Sequence, residues 1–92
     1  MGVAYSIRYH PRVSKDLSVL SQTIKERVKK AIELKLLNRP EVFGIPLQEA
    51  LKGHRKLRVG NLRIVFQIEP ERIYILAVLH RSFVYKEVLK RL

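Results

Sequence analysis

Apolar and polar residues alternate on both sides of Gly60-Asn61, between positions 54 and 68. This alternation predicts two antiparallel strands joined by a tight two-residue turn. Counting outward from the turn pairs Val59 with Leu62 and Arg58 with Arg63. One face of the hairpin is then apolar, with Leu57, Val59, Leu62, Ile64 and Phe66. The other face carries Lys56, Arg58 and Arg63.

The polar face of this hairpin sets Arg58 directly opposite Arg63. Like charges across a strand pair destabilise it. Residues 50–68 contain no Asp or Glu, but they contain five Lys or Arg residues and His54. The pattern therefore predicts a surface that binds a polyanion, and a phosphodiester backbone is the obvious candidate.

The N-terminal half alternates over residues 4–9, which predicts a first strand. Apolar residues at helical spacing then predict a short helix from Val13 to Leu20 and a longer amphipathic helix from Ile24 to Leu36. Ser21 and Thr23 are both candidate N-caps for the longer helix. Residues 41–53 have no regular pattern, and we interpret them as an ordered irregular connector because many of them are apolar.

A third strand of the C-terminal half is expected from Ile73 to about His80, antiparallel to the second hairpin strand. Continuing the register places Val78 opposite Arg63 and puts His80 on the Arg63 side of the sheet. A final short helix is indicated by Val84, Val88, Leu89 and Leu92.

These elements predict an α+β fold in the order β-α-α-β-β-β, followed by the C-terminal helix. We expect one domain over residues 1–92, with a small twisted sheet that is mostly antiparallel. The two N-terminal helices pack on one face of the sheet, and the other face is left concave and basic.

The composition implies an acidic partner, which can be a nucleic acid, an acidic protein or an anionic membrane surface. Lys and Arg number 19 against 8 Asp and Glu, a formal net charge of +11. Solubility through net charge is the simpler explanation, but the excess positive charge lies mainly in the C-terminal half. No apolar run reaches membrane-spanning length and no signal-peptide pattern is present, so we expect a soluble cytoplasmic protein; the absence of Cys fits that compartment.

The residue inventory narrows the chemistry. The basic face has no carboxylate pair, no Cys nucleophile, no phosphate-binding glycine loop and no His spacing for zinc. RNA cleavage through its own 2′-hydroxyl needs only alignment, proton transfer and charge stabilisation, and therefore no metal or cofactor. Arg63 and Arg81 can stabilise charge, whereas His80, Lys56 or Tyr85 can transfer protons. Tyr85 can instead stack on a base.

The ordered set of residues resembles the RelE/ParE-type toxin superfamily of prokaryotic toxin–antitoxin systems. The resemblance is carried by residues 51–53, 55–66, 78–81 and 84–85, and by the opening residues 5–9 with the spacing of the two helices. It covers nearly the whole chain. RelE-like members of this superfamily are ribosome-dependent endoribonucleases that cleave mRNA without a metal ion.

The resemblance implies catalytic roles for Lys56, Arg63, Arg81 and Tyr85. Two positions depart from the family pattern, because Leu62 replaces an aromatic residue and His54 replaces a lysine. The second departure leaves open which residue accepts the 2′-hydroxyl proton, and His54 or His80 can compensate. The surrounding residues Lys52, His54, Arg55 and Arg58 are expected to contact RNA.

The resemblance also implies partners: mRNA and ribosomal RNA in the ribosomal A site, and a RelB-like antitoxin in a hetero-oligomer. Two alternatives remain from the sequence. One is a ParE-like toxin that inhibits DNA gyrase by binding without catalysis, and the other is a non-catalytic nucleic-acid-binding module. His80-Arg81 followed by Tyr85 favours the ribonuclease, because ParE-type chains generally do not need these residues.

Overall fold

A five-stranded sheet in the order β1-β5-β4-β3-β2 organises the computed structural model, which describes residues 5–92. The strands are β1 (Ser6–Tyr9), β2 (Ile45–Pro46), β3 (Arg55–Val59), β4 (Leu62–Ile68) and β5 (Arg72–His80). The helices are α1 (Val13–Ser18), α2 (Gln22–Ala31), α3 (Pro40–Phe43) and α4 (Val84–Leu89). A π-helical segment, Ile32–Leu36, continues α2, and a 3₁₀ turn, Glu49–Leu51, precedes β3. The predicted α+β class is confirmed; Ala4, assigned to the first strand from the sequence, lies outside the described residues.

Two apolar clusters hold the elements together. The larger cluster joins α1, α2 and the π-helical segment to one face of the sheet. Its buried members are Val13, Val28, Ile32, Leu36, Leu57, Ile64, Phe66, Ile73, Ile75 and Val78. The smaller cluster lies under α4, where Val84 and Val88 pack against Val65, Leu76 and Ala77. The second face is therefore partly covered by α4, and the prediction that it stays open and basic is wrong for that part.

The helix boundaries show which cap the chain uses. The Ser21 side chain accepts a hydrogen bond from the Ile24 amide (3.3 Å), so α2 begins at Gln22. Thr23 already lies inside the first turn and is not the cap. Within residues 5–92, no helix has the length and apolar composition needed to cross a bilayer.

The predicted hairpin register is confirmed. Val59 faces Leu62 and Arg58 faces Arg63, with a turn that Gly60 permits through its positive φ of 58°. The connector at residues 41–53 is less irregular than expected, because β2 pairs with β3 through Ile45 and Lys56. β2 has only two residues, which are too few to give an alternating pattern, so the sequence does not predict this strand.

The predicted pairing of β4 with β5 is correct at one end and wrong at the other. Ile68 faces Ile73 as expected, but a β-bulge between Val65 and Phe66 shifts the rest of the register by one residue. Leu79 therefore faces Arg63 in place of Val78. A shift of one residue moves every following side chain to the other face of the sheet.

Candidate functional site

Lys56 and Tyr85 meet on the α4 side of the sheet. The Nζ atom of Lys56 lies 5.6 Å from the centroid of the Tyr85 ring, within the range of a cation–π contact. Lys56 comes from β3 and faces Val65 across the hairpin, and Val65 packs in the cluster under α4. Both side chains are partly exposed. Tertiary packing thus brings together two residues that the resemblance assigned to catalysis.

Arg63 lies on the same face of β4 as Val65 and is 7% exposed. Its Nη1 donates to the carbonyl oxygens of Gly60 (3.0 Å) and Leu62 (2.8 Å). These bonds fold the side chain back over the hairpin turn. A guanidinium has five N–H donors, and in the described residues only Nη1 makes hydrogen bonds, so Arg63 keeps donors for an anion.

Arg63 has Arg58 on the neighbouring strand β3, and Arg81 follows the end of β5, the strand on the other side of β4. Arg58 is the exposed partner of Arg63 across the hairpin. Arg81 is exposed and directly follows β5, where its amide donates to the Asn61 carbonyl (2.8 Å). None of the ion pairs among residues 5–92 involves these arginines or Lys56. The site thus has four cationic side chains without a carboxylate partner in the described residues, and such a surface attracts an anion.

His80 does not lie on the Arg63 side of the sheet. The bulge in the β4–β5 pairing places it opposite Leu62, which packs against the helix-covered core. Its Nδ1 accepts from the Ser82 amide (3.1 Å) and lies 2.8 Å from the Ser82 hydroxyl, and its ring stacks on Phe83. The ring is therefore engaged in the turn that leads to α4.

The predicted RNA-contacting residues on the approach to β3 are dispersed. Arg55 faces Phe66 on the helix-covered side and donates to the carbonyls of Glu41 (3.3 Å) and Gly44 (3.0 Å). Lys52 is exposed in the turn before β3. His54 is partly buried, and its buried Nδ1 has no hydrogen-bond partner within residues 5–92. The structure does not bring Arg55 together with Lys56 and Tyr85.

A second basic surface lies between α2, the π-helical segment and the β3–β4 turn. This groove of about 300 Å³ is bordered by Arg27, Lys30, Lys35 and Arg58. The Arg27 guanidinium lies beside Gly60, at ordinary contact distance from where a Cβ would stand. Arg58 contributes to both basic regions, so positive charge continues around the β3 edge from one to the other.

A buried ion pair near the site was not foreseen. The Arg91 guanidinium donates to both carboxylate oxygens of Asp16, at 2.7 and 2.8 Å, and the side chains are 4% and 5% exposed. The hydrogen bond that Arg91 donates to Asp16 raises the pKa of Arg91. Arg91 also donates to Glu87 (3.2 Å), and this hydrogen bond is the main cause of the lowered pKa of Glu87. The two partners lie at opposite ends of the chain, so no local pattern reveals the pair.

The described part of the chain offers no cluster of three or more His, Cys, Asp or Glu side chains that could hold a metal ion. The candidate site consists of Lys56, Tyr85 and the three arginines Arg58, Arg63 and Arg81. Its groups can transfer protons and bind phosphate oxygens.

Comparisons with known proteins identify the family of this chain and agree with its fold. The family model described as ParE toxin of type II toxin–antitoxin system, parDE, matches residues 7–85. The mRNA interferase toxin RelE of Escherichia coli K12 is 27% identical over 95 residues, covering 98% of this chain and 99% of the relative. A chain of the RelBE2 toxin–antitoxin complex from Mycobacterium tuberculosis has 30% identity and a TM-score of 0.78, covering 87% of this chain and 94% of that one. A mutant E. coli toxin RelE in the free state shares the fold, with 21% identity, a TM-score of 0.73 and coverage of 96% and 93%.

Proposed function

This chain belongs to the ParE toxin family of type II toxin–antitoxin systems, and we propose that it is a ribosome-dependent endoribonuclease that cleaves mRNA. The observation that carries the proposal is the contact of Lys56 with Tyr85 beside arginines that have no carboxylate partner in the described residues. The name of the E. coli relative, an mRNA interferase, supports the same reaction.

The reaction that suits these groups is transesterification. The RNA 2′-oxygen forms a bond to phosphorus while the bond from phosphorus to the 5′-oxygen breaks. One of the two residues Lys56 and Tyr85 takes the 2′-hydroxyl proton, and the other returns a proton to the leaving 5′-oxygen. Arg63 and Arg81 stabilise the charge that develops on the phosphorane. The products are a 2′,3′-cyclic phosphate and a 5′-hydroxyl, and we expect the reaction to need no metal ion.

The partners of this chain follow from the same proposal. Solved relatives include antitoxin–toxin complexes of RelB with RelE, so we propose a RelB-like antitoxin and a hetero-oligomer with it. An acidic segment of the antitoxin would neutralise the basic face that otherwise holds RNA. Ribosomal RNA is the second polyanion that the formal charge of +11 suits, and the site of action is then the cytoplasm.

The second candidate function is inhibition of DNA gyrase by binding, which the ParE name of the matching family model favours. That function needs no proton transfer, so it gives no role to the Lys56–Tyr85 contact. The two candidates therefore differ in whether mRNA is cut.

Expression of the chain followed by mapping of mRNA 5′ ends in translating cells tests the proposal. We expect new ends inside codons with the wild type, and their loss with Arg81→Ala. Arg72→Ala is the matched control, because Arg72 is an exposed arginine of β5 that pairs with Glu69 (2.7 Å). Growth arrest with intact mRNA and damaged DNA would replace the ribonuclease with the gyrase inhibitor. Intact mRNA without arrest would contradict both functions.

A further inference from the structure

The buried Asp16–Arg91 pair occupies a gap at the outer edge of β5. β1 pairs with β5 only as far as Ile75. Beyond that point, the Leu76 carbonyl accepts from Arg91 Nη1 (2.8 Å) and the Val78 amide donates to Asp16 Oδ2 (3.1 Å). Side chains thus satisfy the backbone groups that a longer β1 would have bonded.

The opposite charges of a buried ion pair add little net stability of themselves. Removing two charges from water is costly, and apolar residues of similar volume often hold a fold equally well. A bidentate guanidinium–carboxylate pair differs from an apolar contact in that it fixes direction. Asp16 belongs to α1 and Arg91 follows α4, so the pair sets the orientation of α4 relative to the sheet.

The apolar contacts of α4 come from Val84 and Val88, with the partly buried Tyr85 packed beside them. Within the helix, the fully buried residues are Val84 and Val88, which lie one turn apart along a single line. Rolling the helix about that line would carry the adjacent Tyr85 away from Lys56. Arg91 lies beyond the helix end and anchors it off this line, at Asp16 and at Leu76.

We propose that Asp16 and Arg91 are positioning residues that hold Tyr85 against Lys56. Neither residue touches the RNA in this proposal; both act through the placement of α4. The expected effect on cleavage rests on the proposed ribonuclease function. The expected effect on the Lys56–Tyr85 contact does not, so the two can fail separately.

The contact can be followed without any activity assay. The chain has four tyrosines, so the protein labelled with 3-fluorotyrosine gives four ¹⁹F signals, and Tyr85→Phe assigns the one from Tyr85. Lys56→Met removes the ammonium beside the ring and is expected to shift that signal in the otherwise wild-type protein. This response to Lys56→Met is the measure of the contact.

The decisive variant is Asp16→Leu with Arg91→Met, which replaces the ion pair by apolar groups. We expect it to fold cooperatively but with a lowered melting temperature, because the Val78 amide and the Leu76 carbonyl lose their side-chain partners. The Tyr85 signal should no longer respond to Lys56→Met, and mRNA cleavage should fall by about a hundredfold. Arg91→Lys keeps the charge but loses the bidentate fork, and it decides the matter if the double variant does not fold.

Arg12→Gln is the matched control. It breaks the ion pair between the exposed Arg12 and Glu87 (3.2 Å), and Glu87 lies on α4 like Tyr85. This substitution should leave both the response to Lys56→Met and cleavage unchanged. The proposal is overturned if the Tyr85 signal still responds to Lys56→Met in the folded double variant. If the double variant is unfolded, the same response in Arg91→Lys overturns it. Loss of the response in a protein whose wild type cuts no mRNA supports the positioning role and rejects the ribonuclease.

Discussion

Arg63 and Arg58 face each other across the β3–β4 hairpin, yet only Arg63 is buried. The Arg63 guanidinium is held by two carbonyl oxygens of the turn, whereas Arg58 extends from the open edge into solvent. Two arginines in register thus have different tasks. Arg63 stabilises the hairpin and presents its remaining donors, while Arg58 adds only charge.

This difference predicts opposite effects on stability. Arg63→Ala should lower the free energy of unfolding by about 1–3 kcal/mol, since it removes two hydrogen bonds from a charged donor to the turn carbonyls. Arg58→Ala should leave it unchanged or raise it by about 0.5 kcal/mol, because a like-charge neighbour is removed. Urea denaturation of both variants measures the difference. Equal losses for the two would contradict the structural role of the Arg63 hydrogen bonds.

Replacing Tyr85 with Phe tests the phenol separately from the ring. We expect mRNA cleavage to slow by about a hundredfold or more, because the ring stays packed but can no longer move a proton. Thermal unfolding should change by less than about 0.5 kcal/mol, as for most substitutions outside the core. Single-turnover cleavage on programmed ribosomes gives the rate. An unchanged rate would leave Tyr85 only a stacking role.

The Glu87 carboxylate should make stability depend on pH. Its pKa is lowered mainly by the hydrogen bond from Arg91, so its contribution is complete above the unfolded pKa of about 4.3 and is lost as the pH falls through the lower folded value. The stability difference between the wild type and Glu87→Gln should therefore shrink on acidification. Denaturation of both proteins from pH 7 to pH 3 checks this, and a difference that grows toward low pH would contradict it.

Gly44 marks a place where a side chain cannot be accommodated. A Cβ there would overlap Cζ of Phe66 and lie 2.9 Å from the Pro40 carbonyl oxygen. Gly44→Ala should lower the free energy of unfolding by about 2 kcal/mol through overpacking. Phe66→Leu should relieve part of that loss, so the double variant should be more stable than the sum of the single changes predicts. Strict additivity in chemical denaturation would show that the two residues are not in conflict.

The groove beside α2 is expected to contribute to RNA binding, away from the Lys56–Tyr85 contact. Arg27→Gln should weaken binding of a double-stranded RNA and lower the magnitude of its salt slope by about one counterion. Lys29→Gln is the control, since Lys29 lies 4.0 Å from Glu33 in an ion pair. Fluorescence anisotropy over a range of salt concentrations measures both slopes. Equal slopes for the two variants would remove the groove from the RNA-binding surface.

The sequence predicts those parts of the fold that depend on interactions between residues close together in the chain. The hairpin register follows from alternation around Gly60 and was predicted to the residue. The position of His80 was predicted wrongly, because the bulge opposite Val65 adds one residue to β5 and no feature of the sequence indicates it. Continuous apolar residues on both sides of the bulge fit either register.

The candidate site divides in the same way. Lys56 and Arg63 follow from the hairpin pattern, whereas Tyr85 was a candidate from its chemistry and from the family resemblance, and no local pattern placed it beside Lys56. Asp16 and Arg91 had no signal at all, because neither charge is unusual for a helical surface. Only the completed fold shows that both are buried and joined.

The parallel pairing of β1 with β5 has a kinetic consequence. β3 and β4 are consecutive strands joined by a tight turn, whereas β1 pairs with β5, which is formed from residues much later in the chain. Loop closure over such a distance is slow, so the outer strand is expected to join the sheet late in folding. Until it does, the backbone groups of β5 that β1 bonds in the folded protein stay without their partners.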